Sequence, residues 1–192
     1  MRRPSLSTAL RLATALVCAG AALSCHADPE AGPPRGLAPD GWFAQFGVAK
    51  EVTMATGGAL WTLKDESADG PWSAYAEASL SRWQARNGHA EGHGVLTQLA
   101  LIPVLRHRFD AGRSPWFVEG GIGATVTSSI YRSDDKRFST AFNFGDHVGV
   151  GYSFGNHREQ ELALRVQHFS NAGIKHPNPG ENFLQLRYAH RF

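Results

Sequence analysis

From Gly41 onward the chain alternates apolar and polar residues in segments of 9 to 16 positions, each closed by a cluster of turn-forming residues. Strict alternation over such lengths places successive side chains on opposite faces of an extended strand, so the two faces see different surroundings. Eight segments follow this rule, at about 41–51, 56–64, 72–86, 95–109, 116–128, 139–154, 161–170 and 182–192. Breakers stand between them, notably at 65–71, 87–94, 110–115 and 155–160. No amphipathic helical stretch competes with the strands, and the expected fold is all-β.

The composition of each face says what the sheet packs against. In the fourth segment Val95, Leu99, Leu101, Leu105 and Phe109 share one parity, while Gln98, Arg106 and Arg108 take the other. The fifth sets Trp116, Val118, Ile122 and Val126 against Glu119, and the last sets Leu184, Leu186, Tyr188 and Phe192 against Gln185, Arg187 and Arg191. A soluble barrel would turn the apolar parity inward. These segments, however, exceed the usual five or six residues of a soluble strand and suit a tilted membrane crossing of about 9–11 residues. An even number of strands closes without an unpaired edge in lipid. The expectation is therefore an eight-stranded antiparallel transmembrane β-barrel, apolar outside and polar inside. Trp42, Trp72, Phe109, Trp116 and Phe192, at strand ends, suit two interfacial girdles, and a final alternating strand stopping on phenylalanine resembles the terminal signal of bacterial outer-membrane barrels. An exported soluble β-sandwich or lipocalin-like barrel is the alternative.

Residues 1–27 read as an export signal: Arg2 and Arg3, an apolar stretch from Ala9 to Leu23, and small residues near Ala27. The competing lipoprotein reading, with Cys25 lipidated, fits the residues before it poorly. The signal holds both cysteines of the chain and three of its 19 basic residues, which leaves 16 basic against 17 acidic ones. A mature chain of that balance gives no reason to expect nucleic acid as a partner. Residues 28–40 contain four prolines between Asp28 and Pro39 and should form an irregular periplasmic lead-in. The barrel is then expected over 41–192. With both termini on the periplasmic side, the segments near 52–55, 87–94, 129–138 and 171–181 face outward from the cell.

Four constellations could carry chemistry. Gly151-Tyr152-Ser153-Phe154-Gly155 has the spacing of a nucleophile elbow but lacks the following helix, so glycines on a barrel strand explain it better. His89, Glu91 and His93 alternate as metal ligands would, yet they lie in a glycine-rich loop without a fourth ligand, and a solvated loop tip is favoured. Asp146-His147 reads as structural. The fourth is stronger: His168 and Ser170 extend the lipid-facing row Leu162, Leu164, Val166 to the end of the seventh strand. Polar side chains on that face are costly and usually functional. A base beside a hydroxyl is the minimum for nucleophilic catalysis, and a carboxylate to orient the imidazole completes it. The one carboxylate beyond Glu161 is Glu181, returned by the loop to the start of the eighth strand; Asn182 and Gln185 carry no charge. Asn171 and the amides near Gly173 could serve as oxyanion donors.

The run His168-Phe169-Ser170-Asn171-Ala172-Gly173 and the residues to Asn182, on an exported eight-stranded barrel, resemble the PagL family of lipid A 3-O-deacylases. The specific likeness covers about the last thirty residues. It implies an outer-membrane serine esterase with Ser170 as nucleophile, His168 as general base, Glu181 fixing the imidazole, and Asn171 and Gly173 forming the oxyanion hole. The transfer is least direct at Glu181, where a shift of one residue would change the assignment. It further implies lipid A or lipopolysaccharide as substrate, outer-membrane lipid as surroundings, and no metal or cofactor, while homodimerisation stays open. Two rival readings are a non-catalytic structural or adhesive barrel and an outer-membrane phospholipase, which calcium dependence would separate.

Overall fold

The computed structural model describes residues 38–65, 70–85 and 94–192. The leader 1–27, most of the lead-in 28–40 and the His89, Glu91, His93 group lie outside them. Eight strands, β1 (Gly41–Val48), β2 (Val52–Lys64), β3 (Trp72–Ala85), β4 (Val95–Arg108), β5 (Trp116–Thr127), β6 (Phe142–Phe154), β7 (Gln160–Ser170) and β8 (Glu181–Arg191), pair in chain order. Every neighbouring pair is antiparallel, and β8 closes on β1 through Gly41↔Arg191 to Val48↔Leu184.

Three boundaries differ from the sequence expectation, and residues 49–51, expected in the first strand, form the turn after β1. Residues 52–55, expected in a loop, begin β2, because Val52 and Met54 continue the buried parity and the reversal is completed at 49–51 by the Ala49 N–H to Val52 carbonyl bond (2.8 Å). Residues 139–141, expected in a strand, belong to the β5–β6 connection, where the Ser139 and Thr140 hydroxyls and the Ala141 carbonyl hydrogen-bond to other loop and strand-end groups.

The expected polarity of the wall holds. Leu99, Leu101, Leu105, Ile122, Val148, Leu164, Val166 and Leu186 are exposed on the outside, whereas Gln98, Arg106, Arg108, Glu119, Gln185 and Arg187 are buried within. No helix of the described residues is long and apolar enough to cross a membrane. An apolar outer wall with a charged interior is the arrangement lipid requires. All five expected girdle aromatics, however, stand at the one end where the termini and tight turns lie, since β1, β3 and β5 start there and β4 and β8 finish there. They pair locally, Trp72 with His107 (4.6 Å between ring centroids), Trp116 with Tyr152 (5.0 Å) and Trp42 with Tyr188 (5.5 Å). At the opposite, loop end the outer wall carries Phe142 and Phe144, 5.2 Å apart.

Charge fills the lumen. Arg165 binds Glu77 (2.8 Å) and Glu119 (2.6 Å), Arg106 binds Glu119 (2.9 Å) and Glu161, and Arg187 binds Glu77 (2.9 Å). Tyr75 donates its hydroxyl to Glu119 at 2.8 Å. Above this network, residues including Gln45, Gln98, Gln167 and Phe169 surround a cavity of about 10 Å³, room for one water at most. The loop end is closed by a cluster of Val52, Met54, Trp83, Leu96, Tyr131, Phe138, Phe169 and Phe183. Any reaction on a lipid-sized molecule is thus displaced from the lumen to the outer wall.

Candidate active site

His168 and Ser170 occupy the last turn of the pleat in β7, on its outer face and at the loop end. The residue between them, Phe169, points inward and is 2 % exposed. Its ring meets Trp83 at 5.0 Å and Phe183 at 5.9 Å, both edge to face, so the strand cannot rotate its polar pair off the outer wall without emptying the inner cluster.

The imidazole is held from β8. His168 stands opposite Asn182 in register, and its Nδ1 lies 2.7 Å from Asn182 Oδ1. An amide oxygen only accepts, so Nδ1 carries the hydrogen and Nε2 presents its lone pair. Nε2 has no protein partner among the described residues. The ring also rests on Gly180, whose φ is +66°; a Cβ there would come within 2.5 Å of His168 Cε1.

Glu181, expected to fix the imidazole, is turned away from it, and its hydrogen bonds go to other groups. Alternation turns Glu181 inward, where it is 3 % exposed. Its carboxylate accepts from Lys136 Nζ (2.8 Å), from the Tyr131 hydroxyl (3.1 Å) and from the Asn182 N–H (3.2 Å). Burial pushes the Tyr131 phenol up, which keeps it a donor. A signal for this was present in the sequence: Asn182 continues the lipid-facing row Leu184, Leu186, Tyr188, and Glu181 the luminal row Gln185, Arg187.

The turn after Ser170 is built around Asn171. Its Nδ2 donates to the Lys175 carbonyl (2.8 Å), Ser139 Oγ (3.0 Å) and Thr140 Oγ1 (3.2 Å), and its Oδ1 accepts the Gly173 N–H (3.0 Å). The Asn171 N–H donates to Asn178 Oδ1 at 3.1 Å. The two groups expected as oxyanion donors therefore sit beside Ser170 with their hydrogens engaged inside the turn. The amide aimed at Ser170 Oγ is that of Ala172, at 3.5 Å, made possible by left-handed backbone at Ala172 (φ +53°) and Gly173 (φ +80°). The Ala172 amide is one of those near Gly173 that the sequence offered, but nothing in an alanine side chain singles it out.

The remaining candidates separate from this site. Ser153 of the elbow-like run is luminal and accepts from Arg108 Nη2 at 3.1 Å. Asp146 faces outward on β6, opposite His168 in register, while His147 is buried inside. Among the described residues no three His, Cys, Asp or Glu side chains cluster as metal ligands would. Below His168 the outer wall carries an apolar trough of about 640 Å³, lined by Leu105, Val118, Gly120, Val148, Leu164 and Val166 among others.

An eight-stranded, apolar-walled barrel with a charged lumen defines the class as a membrane β-barrel, and its histidine–serine pair stands on the outer wall. The chain belongs to the lipid A 3-O-deacylase (PagL) family, whose model matches residues 46–191. It is 42% identical over 120 residues to the lipid A deacylase PagL of Bordetella bronchiseptica, across 60% of this chain and 61% of that protein. To the lipid A deacylase PagL of Pseudomonas aeruginosa it is 32% identical over 123 residues, across 64% of this chain and 67% of that one. Its fold resembles the crystal structure of the outer membrane enzyme PagL, with a TM-score of 0.64 and 26% identity, covering 79% of this chain and 99% of that one.

Proposed function

We propose that this protein is an outer-membrane serine esterase that removes the 3-O-linked acyl chain of lipid A within the outer leaflet. The observation that carries the reading is the placement of His168 and Ser170 side by side on the lipid-facing wall at the loop end, in a chain of the lipid A 3-O-deacylase family. A polar pair in that position is unfavourable for a barrel that only needs to sit in lipid. It suits a substrate that is itself anchored in the leaflet and arrives by lateral diffusion. The trough beneath the pair begins at Val166, one same-face step of about 6.6 Å from His168, and runs down the wall as an acyl chain does from the headgroup region.

The reaction follows from the groups present. Ser170 Oγ attacks the ester carbonyl carbon as His168 Nε2 takes the hydroxyl proton, giving a tetrahedral oxyanion. Its charge is met by amides of the 171–173 turn: Ala172 N–H, already directed at Oγ, and Gly173 N–H on exchanging its bond to Asn171 Oδ1. Collapse breaks the bond to the sugar 3-oxygen, which takes the proton from His168. Water activated by the same Nε2 then hydrolyses the acyl–Ser170 ester and releases the fatty acid. None of these steps calls for a metal or a redox carrier.

The test is fatty-acid release from lipid A by the purified barrel in mixed micelles. The wild type should release one 3-hydroxy fatty acid with or without EDTA, and Ser170→Ala and His168→Ala should each lose at least about 10³-fold in rate. Release from phospholipid in preference to lipid A would overturn the substrate, and full activity of Ser170→Ala would overturn the mechanism.

A further inference from the structure

Glu181, Asp146 and Asn182 are the side-chain oxygens that strand position offers to His168, and only one of them engages it. Glu181 lies on the far side of the wall with Lys136 and Tyr131. Asp146 shares the outer face and stands opposite in register on β6, yet no hydrogen bond joins it to the ring. Asn182 alone meets Nδ1, at 2.7 Å. From this we infer that Asn182, seated with Gly180, is the residue that positions the general base, so that the site works as a serine–histidine–asparagine set. The inference rests on the esterase reading of Ser170 and His168.

The physical logic has three parts. The Asn182 oxygen selects the tautomer with hydrogen on Nδ1 and leaves Nε2 basic toward Ser170, which is the orienting half of what a carboxylate does in a triad. An amide achieves this without placing a further full charge on a wall that faces lipid, where an ion is costly. The ring plane is set independently by Gly180, since a Cβ there would stand 2.5 Å from Cε1 and 3.1 Å from Nε2. Asn182 and Gly180 thus restrain the same ring through different atoms, one by a hydrogen bond and one by the absence of a side chain. Neither touches the reacting carbonyl, and both are positioning residues.

The experiment compares kcat and KM for lipid A in mixed micelles across Asn182→Leu, Asn182→Asp, Gly180→Ala, Glu181→Gln and Asp146→Asn, with Ser170→Ala as reference and far-UV circular dichroism to verify the barrel. Asn182→Leu should lower kcat by about 10²-fold or more with KM changed less than about threefold, because orientation of the base acts on the chemical step. Asn182→Asp, which keeps an acceptor at the same place, should restore kcat to within about tenfold of wild type. Gly180→Ala should lower kcat in the same manner without removing the hydrogen-bond acceptor. Wild-type kcat in Asn182→Leu, failure of Asn182→Asp to recover what Asn182→Leu loses, or a larger kcat loss in Glu181→Gln or Asp146→Asn would overturn the assignment of Asn182. If Ser170→Ala itself remained active, the esterase reading would fail first, and the two failures are thereby distinguished.

Discussion

Phe169 stands between His168 and Ser170 and anchors the strand end that carries both. With His168 and Ser170 on the outer face, the Phe169 ring is locked among Trp83, Phe183 and the rest of the loop-end cluster. Phe169→Ala should cost about 3–5 kcal/mol of stability through the cavity it leaves, measurable by urea unfolding in detergent, and should lower kcat because the strand end loses its anchor. At this scale the outward placement of His168 and Ser170 was legible in the sequence, since both continue the parity row of Leu162, Leu164 and Val166 to the end of β7. Glu181 was put forward as the one carboxylate after Glu161 in the sequence, but parity turns it into the lumen and turns Asn182 toward the imidazole. The donors of the 171–173 turn were hidden for another reason. Which amide points at Ser170 depends on the left-handed conformations at Ala172 and Gly173, and side-chain identity does not report them.

Between elements, Glu181 acquires a different role. Its bonds to Lys136 and Tyr131 tie the β5–β6 connection to the first residue of β8, and Phe138 and Tyr131 of that connection enter the same aromatic cluster. Glu181→Gln should loosen this tie by about 1–3 kcal/mol, seen as faster amide hydrogen exchange across 131–138, whose Phe138 N–H to Tyr131 carbonyl bond (3.0 Å) reports it directly. Unchanged exchange there would contradict the role. The eight strands themselves were readable because each face of each strand meets one solvent. The ends that shifted, 49–55 and 139–141, lie where the chain leaves the membrane zone and alternation stops discriminating: Val52 and Met54 pack into the plug, and Ser139 and Thr140 bind the turn after Ser170.

For the molecule as a whole, the charged lumen and the outward site are two sides of one design. Arg165 bridges Glu77 and Glu119, and Arg106 bridges Glu119 and Glu161, so the interior is cross-linked through ion pairs that span several strands. Arg165→Leu leaves Glu77 paired with Arg187 alone and Glu119 with Arg106 alone and should cost about 3–5 kcal/mol, while the folded fraction keeps its activity per molecule, because these side chains are buried in the lumen; a loss of specific activity in the folded fraction would contradict the separation. The sequence displayed the inner charges as a parity row but not their pairing, which depends on hairpin registers such as Arg106↔Glu119 and on the curl of the barrel that brings Arg165 to Glu77 across the lumen. The most direct test of the central claim is mass spectrometry of lipid A from cells producing the wild type or Ser170→Ala, with both barrels verified in the outer membrane. The account predicts loss of one 3-hydroxyacyl group with the wild type alone. Identical, unshortened lipid A in both, or the same loss in both, would contradict it.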